Sequence, residues 1–72
     1  MIATPHTYLE SGTEIKFKTY KAVIVKIIKS KDQFGMPINV FRIKLTHKLF
    51  CKRYKKIENG KIQDVNYSFI NY

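Results

Sequence analysis

From Glu14 to Thr19 apolar and polar residues take turns: Ile15 and Phe17 fall on one side, Lys16 and Lys18 on the other. That period of two predicts a strand with one buried face. Ala22 to Lys29 reads Ala-Val-Ile-Val-Lys-Ile-Ile-Lys, β-branched and nearly continuous. Such a run predicts a strand packed on both faces at the centre of a sheet. Asn39 to Thr46 alternates again, with Phe41, Ile43 and Leu45 facing one way and Val40, Arg42, Lys44 and Thr46 the other. The stretch Ser30 to Pro37 between these predicts a loop, because Gly35 permits a positive φ and Pro37 cannot donate to a ladder. Phe34 and Met36 at its tip are expected to fold back over the core as a lid; the alternative is that they stand out for a partner.

Asn59-Gly60 is the preferred centre of a two-residue type I′ hairpin. Pairing outward from it sets Glu58 opposite Lys61, Ile57 opposite Ile62, Lys55 opposite Asp64, Tyr54 opposite Val65, Lys52 opposite Tyr67 and Phe50 opposite Phe69. Residues 49–57 and 62–70 then form an antiparallel pair. One face holds Phe50, Tyr54, Val65, Tyr67 and Phe69, and the other Arg53, Lys55, Asp64, Asn66 and Ser68. The rival is a helix from His47 to Ile57, whose period fits Leu49, Phe50, Tyr54 and Ile57. The hairpin is the stronger reading, because the helix leaves the sorting of Val65, Tyr67 and Phe69 unexplained.

Five short strands at close spacing predict an all-β fold, a small five-stranded barrel of SH3-like or OB-like kind whose closure hides strand edges. A short N-terminal arm or helical turn at residues 4–10 precedes it, with Thr4 as cap, Pro5 in the first turn, and Tyr8 and Leu9 pinning it to the core. At 72 residues the chain predicts one domain, residues 1–72. Phe17, Phe41, Phe50 and Phe69 are the expected aromatic core.

Charge changes the picture from scaffold to surface. Lys and Arg number 14 against 5 Asp and Glu, a formal net charge of +9. Lys44, Lys48, Lys52, Arg53, Lys55, Lys56 and Lys61 crowd residues 44–61, with Tyr54 among them. Pairing as above would gather them into one basic ribbon, a field suited to phosphates. Lysine dominates over arginine, which favours attraction to a backbone over bidentate reading of bases. A lysine-rich solubilising surface is the plainer reading. Tyr20 and Tyr54 could present rings beside lysines to unpaired bases.

Catalytic chemistry finds little support. His47 and Cys51 on a strand would share a face two pleats apart, beyond hydrogen-bond reach, so a nucleophilic dyad is not expected. Cys51 is expected to be buried and inert. Glu58 and Asp64 read as partners of Lys61 and Lys55. His6, His47 and Cys51 are too scattered to hold a metal, and no glycine-rich phosphate loop exists, so no cofactor is expected. A lone cysteine fits a reducing compartment, and no leader or membrane-spanning run is readable, which predicts a cytoplasmic protein.

The leading expectation is a small basic protein binding DNA or RNA through phosphates with little sequence specificity, as a monomer or weak homodimer. The Lys, Ile, Asn and Tyr bias suggests an AT-rich source such as a phage or mobile element. The alternative is an inhibitor that binds an acidic surface of a host protein or defence complex, with Tyr20, Phe34 and Met36 as apolar contacts inside a charged rim.

Overall fold

The computed structural model describes all residues, 1–72. Five antiparallel strands follow one another: β1 (Glu14–Phe17), β2 (Tyr20–Lys31), β3 (Pro37–Phe50), β4 (Arg53–Lys56) and β5 (Ile62–Asn66), ending in a 3₁₀ turn, Tyr67–Phe69. The hub is β3. Residues 37–48 of it pair with β2 on one side, while β4 and β5 share its other edge, opposite residues 47–50 and 40–44. The junction between those two is closed by the Leu45 N–H donating to the Lys61 carbonyl (3.0 Å) and the Ile57 N–H to the Thr46 carbonyl (2.8 Å). β1 covers only the start of β2. The sheet does not close into a barrel; on its outer edge β1 meets only the single bridge Lys16–Asn71.

The core follows the alternation. Ile15, Phe17, Ala22, Ile24, Phe41, Ile43, Leu45 and Val65 point to one side and are buried, joined by Ala3 and Ile70 from the terminal segments. Burying each large side chain contributes roughly 1.5–3 kcal/mol before the entropy of ordering it. Two bulges keep this sorting in phase. On β2, Val25 has no partner between the Ile24–Ile43 and Lys26–Arg42 pairs. On β3, Thr46 is left over between Leu45 and His47, and its hydroxyl donates to the Lys21 carbonyl at 3.1 Å. Each extra residue resets which side its strand presents next.

Several expectations are corrected. The Asn59-Gly60 hairpin does not form. Residues 53–56 turn back on β3 instead, through Cys51 and Lys52 at φ 45° and 63°. Positive φ at both central residues is a type I′ geometry without the Asn or Gly that advertises it. β5 pairs with β3, not with β4. No helix forms at 47–57. Cys51 is therefore exposed at a turn tip, and Phe50 and Phe69 are each more than half exposed rather than core. Asp64 pairs with Arg42, not Lys55, and Glu58 forms no ion pair with Lys61. Hydrogen bonding carries β2 and β3 well into the expected loop, leaving only 32–36 unpaired, with Pro37 as the first residue of β3. Phe34 and Met36 are no lid; both stand in solvent. At the N-terminus a single turn, Thr7 N–H to Thr4 carbonyl at 3.1 Å, replaces the helical option, and Leu9 packs on the core while Tyr8 does not.

Gly60 matters for a different reason than turn geometry. Its φ is not positive, but a Cβ there would collide with the Leu45 carbonyl oxygen, which sits on the rigid backbone of β3. Gly60→Ala should cost about 1–3 kcal/mol or more, as overpacking does, seen as a lower urea midpoint. An unchanged midpoint would mean that the 57–61 connector can lift off β3.

Candidate functional site

Strand register decides which cations meet. Opposite the core, the outward positions align in rows across the sheet. One row runs Lys16–Lys21–His47–Lys56 through β1, β2, β3 and β4. The next runs Glu14–Val23–Lys44–Ile62, with the Glu14 carboxylate at its far edge. A third sets Lys26, Arg42 and Asp64 side by side. Strands lie about 4.8 Å apart, so the first row spans roughly 14 Å. It contains no acid, and directly opposed like charges repel. An anion laid across it would relieve that repulsion.

His47 is held in this row by its neighbour. Its Nδ1 lies 3.0 Å from the Thr46 hydroxyl, whose own proton goes to the Lys21 carbonyl. The hydroxyl can then only accept from the ring, so Nδ1 is the donor of this contact.

The Arg42–Asp64 pair is the one salt bridge. Arg42 donates through Nε to one carboxylate oxygen at 2.9 Å and through Nη2 to the other at 3.3 Å. Those hydrogen bonds, helped by the charges of Arg42 and Lys26 and opposed by desolvation, hold Asp64 below the usual carboxylate range. The same hydrogen bond to Asp64, with its charge, raises Arg42. Since the folded value lies below the unfolded one of about 3.9, the pair stabilises the fold above that pH. The contribution fades as pH falls through the folded value. The stability gap between wild type and Asp64→Asn should thus stay constant above about pH 5 and narrow below about pH 4, read by denaturation at each pH. A gap that does not vary with pH would count against the pairing.

The opposite side of the same sheet end carries a second, smaller cationic group. Tyr20, Lys48, Phe50, Arg53 and Lys55 share it, with Lys48 directly opposite Lys55. Ammonium groups cover the rings: Lys48 Nζ is 5.9 Å from the Tyr20 centroid and Lys55 Nζ 4.8 Å from that of Phe50. On the outward face Lys21 Nζ lies 4.8 Å from the Tyr54 centroid. Exposed pairs of this kind are worth about 0.5–1 kcal/mol. A base could stack on these rings only after the lysine swings aside.

The predicted ribbon is therefore divided. Lys44, Lys56 and Tyr54 lie on the outward face, Lys48, Arg53 and Lys55 on the other, Lys52 in the β3–β4 turn and Lys61 in the connector to β5. Nor do Tyr20, Phe34 and Met36 form one site: Tyr20 begins β2, and the other two lie beyond its far end. Sequence reasoning missed Lys16, Lys21, Lys26 and His47. The outward positions of Lys16 and Lys21 were available from alternation in β1 and the start of β2; those of Lys26 and His47 follow the two bulges, which alternation does not show, and their union with Lys56 needed the pairing of four strands.

His6, His47 and Cys51 stay apart, and no three His, Cys, Asp or Glu side chains come together. No helix is long and apolar enough to cross a membrane. No protein-family model, curated protein or solved structure matches this chain.

Proposed function

We propose that this chain is a small nucleic-acid-binding protein that holds the phosphate backbone and reads little sequence. The observation that carries the reading is the acid-free row Lys16–Lys21–His47–Lys56, continued by Lys44 on the same face. Lysine ammoniums attract phosphates without the planar fork that selects bases. In this reading binding is the whole activity, exercised in the cytoplasm. The architecture we propose is a half-closed SH3-like barrel, supported by hydrogen bonds in both directions between Lys16 and Asn71, at 2.7 and 3.0 Å, after the 3₁₀ turn.

The test is binding to mixed-sequence duplex and single-stranded DNA and RNA across a salt series. The expected result is affinity that falls linearly in log–log form with salt and varies little with sequence. Wild-type protein that ignores all of these polyanions at low salt would end the reading.

A second reading, an inhibitor encoded by a phage or mobile element that binds an acidic protein surface, is favoured by one observation. Phe34 and Met36 are 80% and 61% exposed at a loop tip. It expects a single tight protein partner, little affinity for nucleic acid at physiological salt, and loss of that partner on Phe34→Ala or Met36→Ala.

A further inference from the structure

The β2–β3 hairpin runs on past the core. Its last pair with a buried member is Ile27–Phe41, yet pairing continues to Lys31–Pro37, and the molecule measures 40 × 20 × 19 Å. The arm is braced at its root, where the Asn39 N–H donates to the Pro5 carbonyl and its side-chain amide to the Thr7 carbonyl, both at 3.0 Å.

Its tip is built rather than loose. Asp32 Oδ1 accepts from the N–H groups of Phe34 (2.8 Å) and Met36 (2.9 Å). The Asp32 N–H returns to the Met36 carbonyl at 2.9 Å, and the Gly35 N–H reaches the Asp32 carbonyl at 3.0 Å. Gly35 takes φ +80°, which side chains disfavour. The only acid of the arm is thus spent on turn geometry. What the turn presents is Phe34 and Met36, both in solvent. The cations behind them on the arm are Lys29 and Lys31, both exposed and neither in an ion pair.

We propose that this arm enters a groove of duplex DNA and wedges Phe34 and Met36 against a base step, unstacking and bending it, an inference that rests on the nucleic-acid reading above. Two-stranded ribbons enter either groove of B-form DNA, and a wedging tip acts from the minor groove, whereas the A-form RNA major groove is too narrow and deep for side chains to read. Apolar wedges such as Phe and Met are the side chains that open base steps and kink a duplex. Flanking lysines hold the phosphates on either side of the opened step. A pre-formed turn presents the wedge with little ordering cost. A protein-binding core would instead be depleted of lysine and broader than two side chains.

The test uses a mixed-sequence duplex of about 30 base pairs, end-labelled for energy transfer and carrying 2-aminopurine. Wild-type protein should shorten the end-to-end distance and raise 2-aminopurine fluorescence. Phe34→Ser with Met36→Ser should abolish both signals while leaving the salt slope of binding and the melting temperature unchanged. Two results would overturn the wedge and leave phosphate binding standing: wild type that binds the duplex with neither signal, or a double variant that bends it as wild type does. Tighter binding to the single strand, weakened by Phe34→Ser, would also overturn it, as stacking on unpaired bases. Absence of any binding at low salt defeats both proposals.

Discussion

Phe41→Ala should leave this protein unfolded or barely folded at room temperature. Phe41 is wholly buried, sits on the hub strand, and lies between Ile27 of β2 and Val65 of β5. Truncating such a ring removes its transfer energy and leaves a cavity, together about 3–5 kcal/mol. A core of this size rarely supplies more than about 3–5 kcal/mol in total. Phe69→Ala is the informative contrast. Phe69 is half exposed and meets Phe17 edge-on at a centroid distance of 6.2 Å, with Lys18 Nζ 5.4 Å from both rings. Its loss should cost about 1 kcal/mol, the scale of one aromatic pair. Urea denaturation of both variants decides the matter; equal costs would mean that the inward face of the sheet has been misassigned.

Replacing Lys16, Lys21, Lys44 and Lys56 with Gln should remove most of the affinity for nucleic acid. Each phosphate that is no longer neutralised lowers the salt slope by about 0.7–0.9, so four together lower it by roughly 3. Replacing Lys48, Lys52, Arg53 and Lys55 removes the same charge from the opposite side and the turn, and should change the slope much less. Each set holds one directly opposed lysine pair, Lys16–Lys21 and Lys48–Lys55, so neutralising either should raise the melting temperature of the free protein, and only the salt slope separates them. A larger slope change from the second set would put the interface on the Tyr20–Lys48–Lys55 side.

Half of this arrangement is legible in the residues. The inward faces of β1 and β3 follow from alternation, a local property, and Ile15, Phe17, Phe41, Ile43 and Leu45 are buried as that pattern predicts. The last third is not legible in this way, because its strongest local signal loses to tertiary pairing. β3 extends to Phe50, which gives residues 53–56 a partner reached by two residues, whereas pairing them with β5 would leave that stretch of β3 an open edge. Cys51 and Lys52 adopt the required left-handed backbone without the residue types that mark it. Gly60 serves close passage over Leu45 instead. With this register Phe50 and Phe69 leave the core, and the lysines divide between two faces. Ala3 belongs to no periodic segment, and Ile70 ends the predicted strand 62–70 in phase with the polar Asn66 and Ser68, so nothing in the pattern marks either as core.

The unpaired Thr46 makes the chemistry of the basic end a matter of chain length. With it, His47 and Leu49 look outward and Lys48 and Phe50 inward. Removing one residue there would exchange the two sets without altering any other side chain. A lineage carrying this fold could therefore shift its cations between faces through a single codon deletion or insertion, a step that no sequence of point substitutions reproduces as directly.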